Sequence, residues 1–300
     1  TEKFKVLAGL RWSWQEAQAT NLDLTKNPVV VKEDQKRVDQ AFSPKVGLVY
    51  QPIKDMAIFA SYSNSFTPNS GTTVDLQVIK PSIIDQYEVG VKNDFFKGLL
   101  STNVTYYEIR NNNLAQTAEF KADGTPNTDS NLKVLSGATK SKGIEVDVTA
   151  RPIAGLSIMA GYSYNDMRYT KTSGIEGSFI VGDRLTRTPA NTANLSFFYT
   201  LPSGVLKDVS FGATTNYIGK RVGGWNNQYK ATEPNGIFDR EIPLEAYTTI
   251  DVSAGYAWGK FSILCKLSNA TNELNYTVHE NYSVNPIAPR QVMTSLKYKF

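Results

Sequence analysis

The chain has 300 residues, enough for one large domain or two small ones, and its 41% hydrophobic and 20% charged content is that of a folded protein. No window approaches the roughly 18 uninterrupted apolar residues of a transmembrane helix, so any membrane span must be β. The 32 basic and 28 acidic residues leave a net charge of +4 without a basic block, which argues against a nucleic-acid partner, and the single cysteine, Cys265, excludes both a disulfide framework and a cysteine zinc site.

Alternation of apolar with polar residues, the pattern of a strand with two unlike faces, recurs about twelve times. Phe4, Val6, Ala8, Leu10, Trp12 and Trp14 begin it with no charged-then-apolar leader before them, so the chain is expected to start inside a larger protein. A polar loop from about Gln18 to Gln40 precedes Val46, Leu48 and Tyr50, which a tight turn at Gln51–Asp55 joins to Ile58, Ala60 and Tyr62. A loop to about Ser82 leads to Tyr87, Val89, Val91 and Phe95, then a turn at Phe96–Gly98 and Leu100, Thr102, Val104 and Tyr106. An Asn-, Asp-, Thr- and Gly-rich loop from about Asn111 to Gly137 ends at Ile144, Val146, Val148 and Ala150; the turn Arg151–Gly155 gives Leu156, Ile158, Ala160, Tyr162 and Tyr164. After a loop at about Tyr169–Thr188, Ala193, Leu195, Phe197 and Tyr199 turn at Pro202–Asp208 into Val209, Phe211, Ala213 and Tyr217. The long loop Gly219–Glu245 precedes Ile250, Val252, Ala254, Tyr256 and Trp258, a Gly259-Lys260 turn, and Phe261, Ile263, Cys265 and Leu267. A last loop, about Asn269–Ala288, leads to a final strand in which Val292, Thr294, Leu296, Tyr298 and Phe300 alternate with residues that include Lys297 and Lys299. Bacterial outer-membrane barrels end on such an aromatic.

Two regularities set the class. Short turns and loops of roughly 18 to 27 residues alternate strictly, the arrangement of transmembrane barrels with short periplasmic turns and long extracellular loops. With the short turns placed at the bottom, Phe4, Tyr50, Phe95, Tyr199, Trp258, Phe261 and Phe300 fall at lower strand ends, and Trp12, Trp14, Tyr62, Tyr106, Tyr162, Tyr164 and Tyr217 at upper ends. Aliphatics lie between these two girdles, as a lipid-facing band requires. The opposite faces carry Lys5, Arg11, Gln86, Glu88, Lys92, Asn103, Glu145, Asp147, Asn194, Ser196, Asp251, Ser253, Lys266, Lys297 and Lys299, which implies a wide wet lumen. The fold class expected is all-β, an antiparallel transmembrane β-barrel portion. An open sheet edge in lipid costs several kcal/mol per unpaired group, so the strands must close on themselves or on others.

Across almost the whole length the chain resembles the C-terminal half of TonB-dependent siderophore receptors. The stretches that carry the resemblance are Ala41-Phe-Ser-Pro-Lys-Val-Gly-Leu-Val-Tyr-Gln-Pro52, Ala57-Ile-Phe-Ala-Ser-Tyr-Ser-Asn-Ser-Phe-Thr-Pro68, Lys80-Pro81 with Gln86-Tyr-Glu-Val-Gly-Val-Lys92, Gly143-Ile-Glu-Val-Asp147, Gly182-Asp-Arg-Leu185 with Pro189, Tyr217-Ile-Gly-Lys-Arg221, and Pro289-Arg290 before the final Phe. The resemblance implies a barrel of about 22 strands occluded by an N-terminal plug, of which residues 1–300 are the last twelve strands. By that resemblance, plug, TonB-contacting segment and first strands are expected to be absent from this chain. It further implies residence in the bacterial outer membrane, lipid around the wall, a ferric siderophore as cargo, energy through TonB by way of the missing N-terminal region, no enzyme activity and no resident cofactor.

A ferric chelate bound from outside needs stacking surfaces, donors and positive charge, which points to the loop residues Phe66, Arg221, Trp225, Tyr229, Tyr276 and Tyr282 as ligand contacts. Other cargoes for such a receptor are haem, cobalamin or a glycan, though a haem receptor would offer more histidine than His279, the sole one. Outside the family, a self-closed twelve-strand passive channel and a phospholipase-like enzyme remain; the enzyme would need a serine held by His279 at the outer barrel surface, and that histidine is expected mid-loop. Glu145 and Asp147, two residues apart on the lumen face, read as wall groups rather than an acid/base pair. Asn111–Asn113 and Asp123–Pro126 look like ligands but are explained by turn chemistry, and Gly219–Gly224 lacks the features of a phosphate loop.

Overall fold

Aromatic and β-branched residues spaced two apart favour strands because each then packs beside an in-register neighbour on one side of a pleated sheet. In the computed structural model, which describes residues 3–300 except 19, 34–35, 119–120, 126, 173–179, 226–240 and 280–282, every predicted strand forms. The elements are β1 (Phe4–Ala17), β2 (Thr20–Asp23), β3 (Val30–Glu33), β4 (Arg37–Ile53), β5 (Met56–Thr67), β6 (Thr72–Thr73), β7 (Ser82–Phe95), β8 (Leu100–Thr117), β9 (Leu132–Ala150) and β10 (Leu156–Lys171). They continue with β11 (Asn191–Thr200), β12 (Val209–Ile218), β13 (Arg221–Trp225), β14 (Glu241–Leu244), β15 (Tyr247–Trp258), β16 (Phe261–Ser268), β17 (Tyr276–His279), β18 (Ser283–Pro286) and β19 (Gln291–Tyr298). A single 3-10 turn, Phe96–Gly98, is the one helical element among the described residues.

Twelve strands form a continuous antiparallel wall in the order β1-β4-β5-β7-β8-β9-β10-β11-β12-β15-β16-β19. Among the described residues β1 pairs only with β4, and β19 only with β16. The twelve do not close on one another, which removes the self-closed channel.

Register puts like residues side by side on each face. Outward, Phe4 lies opposite Tyr50, Tyr62 opposite Tyr87, and Trp258 opposite Phe261. The lower girdle is a run of ring contacts, with centroids 5.4 Å apart for Tyr256 and Trp258, 5.9 Å for Trp258 and Phe261, and 4.8 Å for Phe261 and Tyr298. Tyr298 is thus a girdle member that the sequence analysis left out. β19 stops at Tyr298, two residues short of the predicted end, and Phe300 is fully exposed, touching Tyr298 edge-on.

The wall has no dry core. Ile79, in a loop, is the only fully buried side chain among the described residues, whereas Leu48 and Phe211, on strands flanked by neighbours on both sides, are more than half exposed on the outward face. A water-soluble sheet would not leave a continuous apolar face uncovered; lipid is the solvent that fits. No helix is long and apolar enough to cross a membrane.

Inward, the wall is more aromatic than predicted. Phe59, Tyr107 and Phe198 reach over Gly90, Gly143 and Gly212 of adjacent strands, with atoms 2.6, 2.7 and 2.8 Å from where a Cβ would stand, filling the room its absence leaves. At the bottom, Gly155 closes the β9–β10 turn with φ +83°, and a Cβ there would stand 2.0 Å from the Thr200 carbonyl oxygen.

The loop prediction needs correction in three places. The loops after β1, β12 and β16 contain the hairpins β2–β3, β13–β14 and β17–β18. The loop predicted from about Asn111 to Gly137 shrinks to 118–131, because β8 and β9 keep their ladder above the girdle through register shifts at Asn111/Leu114 and Leu114/Ala115. His279 ends strand β17 opposite Ser283 instead of lying mid-loop; its side chain is outside the described residues.

Candidate functional site

The lumen face is a hydrogen-bonded polar surface. Ser61 Oγ donates to Glu88 Oε2 at 3.2 Å and Gln86 Nε2 to Glu88 Oε1 at 2.5 Å. Asn103 Nδ2 donates to Asp147 Oδ2 at 3.2 Å. Lys266 Nζ meets Asp251 Oδ2 at 2.7 Å, while the other oxygen of Asp251 accepts the Asn269 N–H at 2.9 Å. Asp251 therefore anchors both a strand and the start of a loop. Asp251→Ala is expected to lower the unfolding temperature of the whole receptor more than Lys266→Ala does, because it strands two donors, whereas Lys266→Ala leaves a carboxylate that still accepts the Asn269 N–H; equal losses would contradict this division.

Near the short turns the wall holds an open cavity of about 420 Å³, lined by Lys54, Lys92, Asp94, Asn103 and Asp147 among others. Lys92 also sits 5.1 Å from the centre of the Phe59 ring. Mixed charges in an open, wet wall suit contact with water or another protein surface. Among the described residues no three His, Cys, Asp or Glu side chains gather as a metal site.

Above the wall, loop side chains are spent on fixing the loops. Asn69 Nδ2 donates to the carbonyls of Lys80 at 2.8 Å and Asn113 at 3.1 Å, its own carbonyl accepts from Arg37, and Ser82 Oγ bonds Asn69 Oδ1 and the Asn113 carbonyl. Asp123 accepts the Thr125 hydroxyl at 2.6 Å and its N–H at 2.9 Å, which hold its carboxyl below the ordinary range, so the stretch is a turn as expected.

The predicted ligand contacts fall in different places. Phe66 shares the outward side of β5 with Tyr62 and lies opposite Ile83, away from the lumen. Arg221 is buried and bonded to other loops. Tyr276, 41% exposed, opens β17, and its carbonyl accepts one of the Arg221 bonds. Trp225 ends β13 with its backbone opposite Glu241, its side chain outside the described residues, as are Tyr229 and Tyr282 altogether. Arg221 and Tyr276 are the pair that the structure brings together. The sequence analysis missed Asn69 and Ser82, for which a run of short polar residues beside Pro68 and Gly71 was the available signal, and it read Asn111–Asn113 as a turn where the structure has strand β8.

An apolar outer face, a polar inner face and long loops sharing one rim define the wall of an outer-membrane barrel. A family model described as TonB dependent receptor-like, beta-barrel, matches residues 1–272, and the chain belongs to that family. These are transport receptors of the outer membrane, not enzymes. Similar proteins include the metal-pseudopaline receptor CntO of Pseudomonas aeruginosa, 27% identical over 304 residues that take in 100% of this chain and 39% of the relative. The ferrichrome outer membrane transporter/phage receptor of Escherichia coli is 26% identical over 286 residues, 86% of this chain and 35% of that protein. Among solved structures, the siderophore receptor PiuA of Acinetobacter baumannii superimposes with a TM-score of 0.77 at 20% identity, over 100% of this chain and 41% of that one. This chain thus spans about two fifths of the length of the relatives it matches.

Proposed function

We propose that residues 1–300 form the C-terminal part of the barrel of a receptor that imports a ferric siderophore, driven through TonB by way of an N-terminal region this chain does not include. The observation that carries the reading is the sorting of all the long connections to one rim of a polar-lined wall, where a solute arriving from outside must first meet them. Names of relatives support the cargo class, since one is a ferrichrome transporter and another a ferric-pyoverdine 358 receptor of Pseudomonas putida. The cargo is an iron(III) chelate and not a resident cofactor. The test is uptake of radioactive iron, supplied as a ferric trihydroxamate or a ferric tricatecholate, in cells with and without the whole receptor. Uptake that depends on both the receptor and TonB is the expected result, and receptor-independent uptake of both would sink the proposal.

A second reading, import of a differently chelated metal, is favoured by the match of the whole of this chain to 39% of a metal-pseudopaline receptor. Receptor-dependent uptake of zinc chelate in place of iron chelate would select it.

Trp225→Ala in the whole receptor is expected to weaken chelate binding about tenfold, the scale of losing one aromatic anchor at an interface. Unchanged affinity by tryptophan-independent titration would remove Trp225 from the site.

A further inference from the structure

Arg221 is the first residue of β13, and it is 9% exposed. Its Nη1 donates to the Glu245 carbonyl at 3.1 Å, and its Nη2 donates to Asn275 Oδ1 at 3.1 Å and to the Tyr276 carbonyl at 2.6 Å. The guanidinium carbon lies 5.2 Å from the centre of the Tyr247 ring. By alternation along β15, Tyr247 shares the lumen face with Thr249, Asp251 and Ser253, so the cluster stands at the inner edge of the rim. The Glu245 carboxylate instead pairs with exposed Lys220 at 3.0 Å. A buried cation held by three neutral acceptors and a ring is stable only while all of them stay in place. Next to it, Val222 is 5% exposed, and its carbonyl accepts the Arg187 N–H at 2.7 Å. Asn275 Nδ2 adds a bond to the Glu245 carbonyl at 3.2 Å. Two adjacent residues therefore tie together the loop before β11, the hairpin β13–β14 and the loop that carries β17–β18.

We propose that Arg221 is a positioning residue and not a ligand contact: it latches the hairpin β13–β14, with the stretch that leads into β15, to the loop that carries β17–β18, as one preassembled side of the mouth. Preassembly raises affinity because loops already ordered lose less freedom when ligand arrives. Arginine suits the place because its planar fork reaches acceptors on two segments at once, whereas a lysine ammonium is a single point. The affinity half of the proposal rests on the import reading; the latch itself does not.

The experiment is hydrogen exchange on the whole receptor without ligand, comparing wild type, Arg221→Ala and Arg221→Lys, followed by titration with a ferric trihydroxamate and a ferric tricatecholate. In Arg221→Ala, exchange in 219–225, 241–246 and 274–279 should speed up about tenfold or more, with β15 and β16 unchanged. Chelate affinity should fall by a similar factor, and Arg221→Lys should behave like Arg221→Ala. Unchanged exchange overturns the latch, and faster exchange with unchanged affinity overturns its positioning role. Wild-type behaviour of Arg221→Lys overturns the fork argument in favour of a simple charge contact. Should the wild type bind neither chelate, the import reading fails while the exchange result still decides the latch.

Discussion

Gly143→Val in the whole receptor is expected to destabilise the barrel by about 3 kcal/mol or more, at the upper end of what overpacking does. Gly143 lies on the lumen face of β9, paired with Tyr107 on β8 and Asn165 on β10. A Cβ there would stand 2.1 Å from the Tyr164 carbonyl oxygen and 2.7 Å from the Tyr107 hydroxyl. The first atom belongs to the backbone and cannot step aside alone; the second caps a ring that is 8% exposed and lies over the glycine. Relief must come from moving β10 away or expelling the ring, and either exposes or breaks neighbouring ladder bonds. Gly47, on β4 between two paired strands, is the matched control, because a Cβ there meets Leu7 Cβ at an ordinary 3.6 Å and no backbone atom closer than 4.0 Å; Gly47→Val should cost far less, since valine suits a strand. The readout is the temperature at which the folded barrel loses its fast mobility on an SDS gel. Equal temperatures for the two variants would show that the close approach at Gly143 does not constrain the wall.

The wall was legible because two solvents act on it. Lipid on one side and water on the other force every second residue to differ in polarity, and that period survives in the order of residues whatever the neighbours are. Loop hairpins obey no such rule: Thr20–Asp23 and Glu241–Leu244 are four-residue strands with little room for a period, and their bonds are made by backbone. For the same reason β8 continues past Asn111–Asn113, where side chains read as a turn while the ladder shifts register and goes on. The glycine and aromatic pairs needed register as well as parity. Phe59 was identifiable as inward from its place between Ile58 and Ala60, but only strand pairing brings it over Gly90. In the candidate site, residue type suggests chemistry, and only the fold supplies the partners. Arg221 has the charge a chelate contact needs, yet its acceptors come from residues up to 55 positions away in sequence, and no local pattern announces them.

A lysine at Leu195 should be far worse tolerated than one at its neighbour Asn194, and the difference measures which side of the wall faces lipid. Leu195 sits on the outward face between Ala160 and Thr215, with Phe197 and Tyr199 toward the lower girdle and Tyr217 toward the upper. A charge near the middle of this band has neither water nor a carboxylate to turn to; lysine at the midplane of a barrel's lipid face costs about 2–4 kcal/mol. Asn194 points the other way, opposite Gly161 and Asn216, with water available on the lumen side. There a lysine keeps its hydration, and the expected change is within about 0.5 kcal/mol, the range of ordinary exposed substitutions. Both variants add one charge in one strand, so effects on export, net charge and strand propensity largely cancel between them. Folding titrations of the whole receptor into lipid vesicles would give the two free energies. A smaller penalty for Leu195→Lys than for Asn194→Lys would invert the wall and put the polar face toward lipid, Lys297, Lys299 and the Lys266–Asp251 pair included; a penalty several-fold larger fixes the apolar face as the one in the membrane.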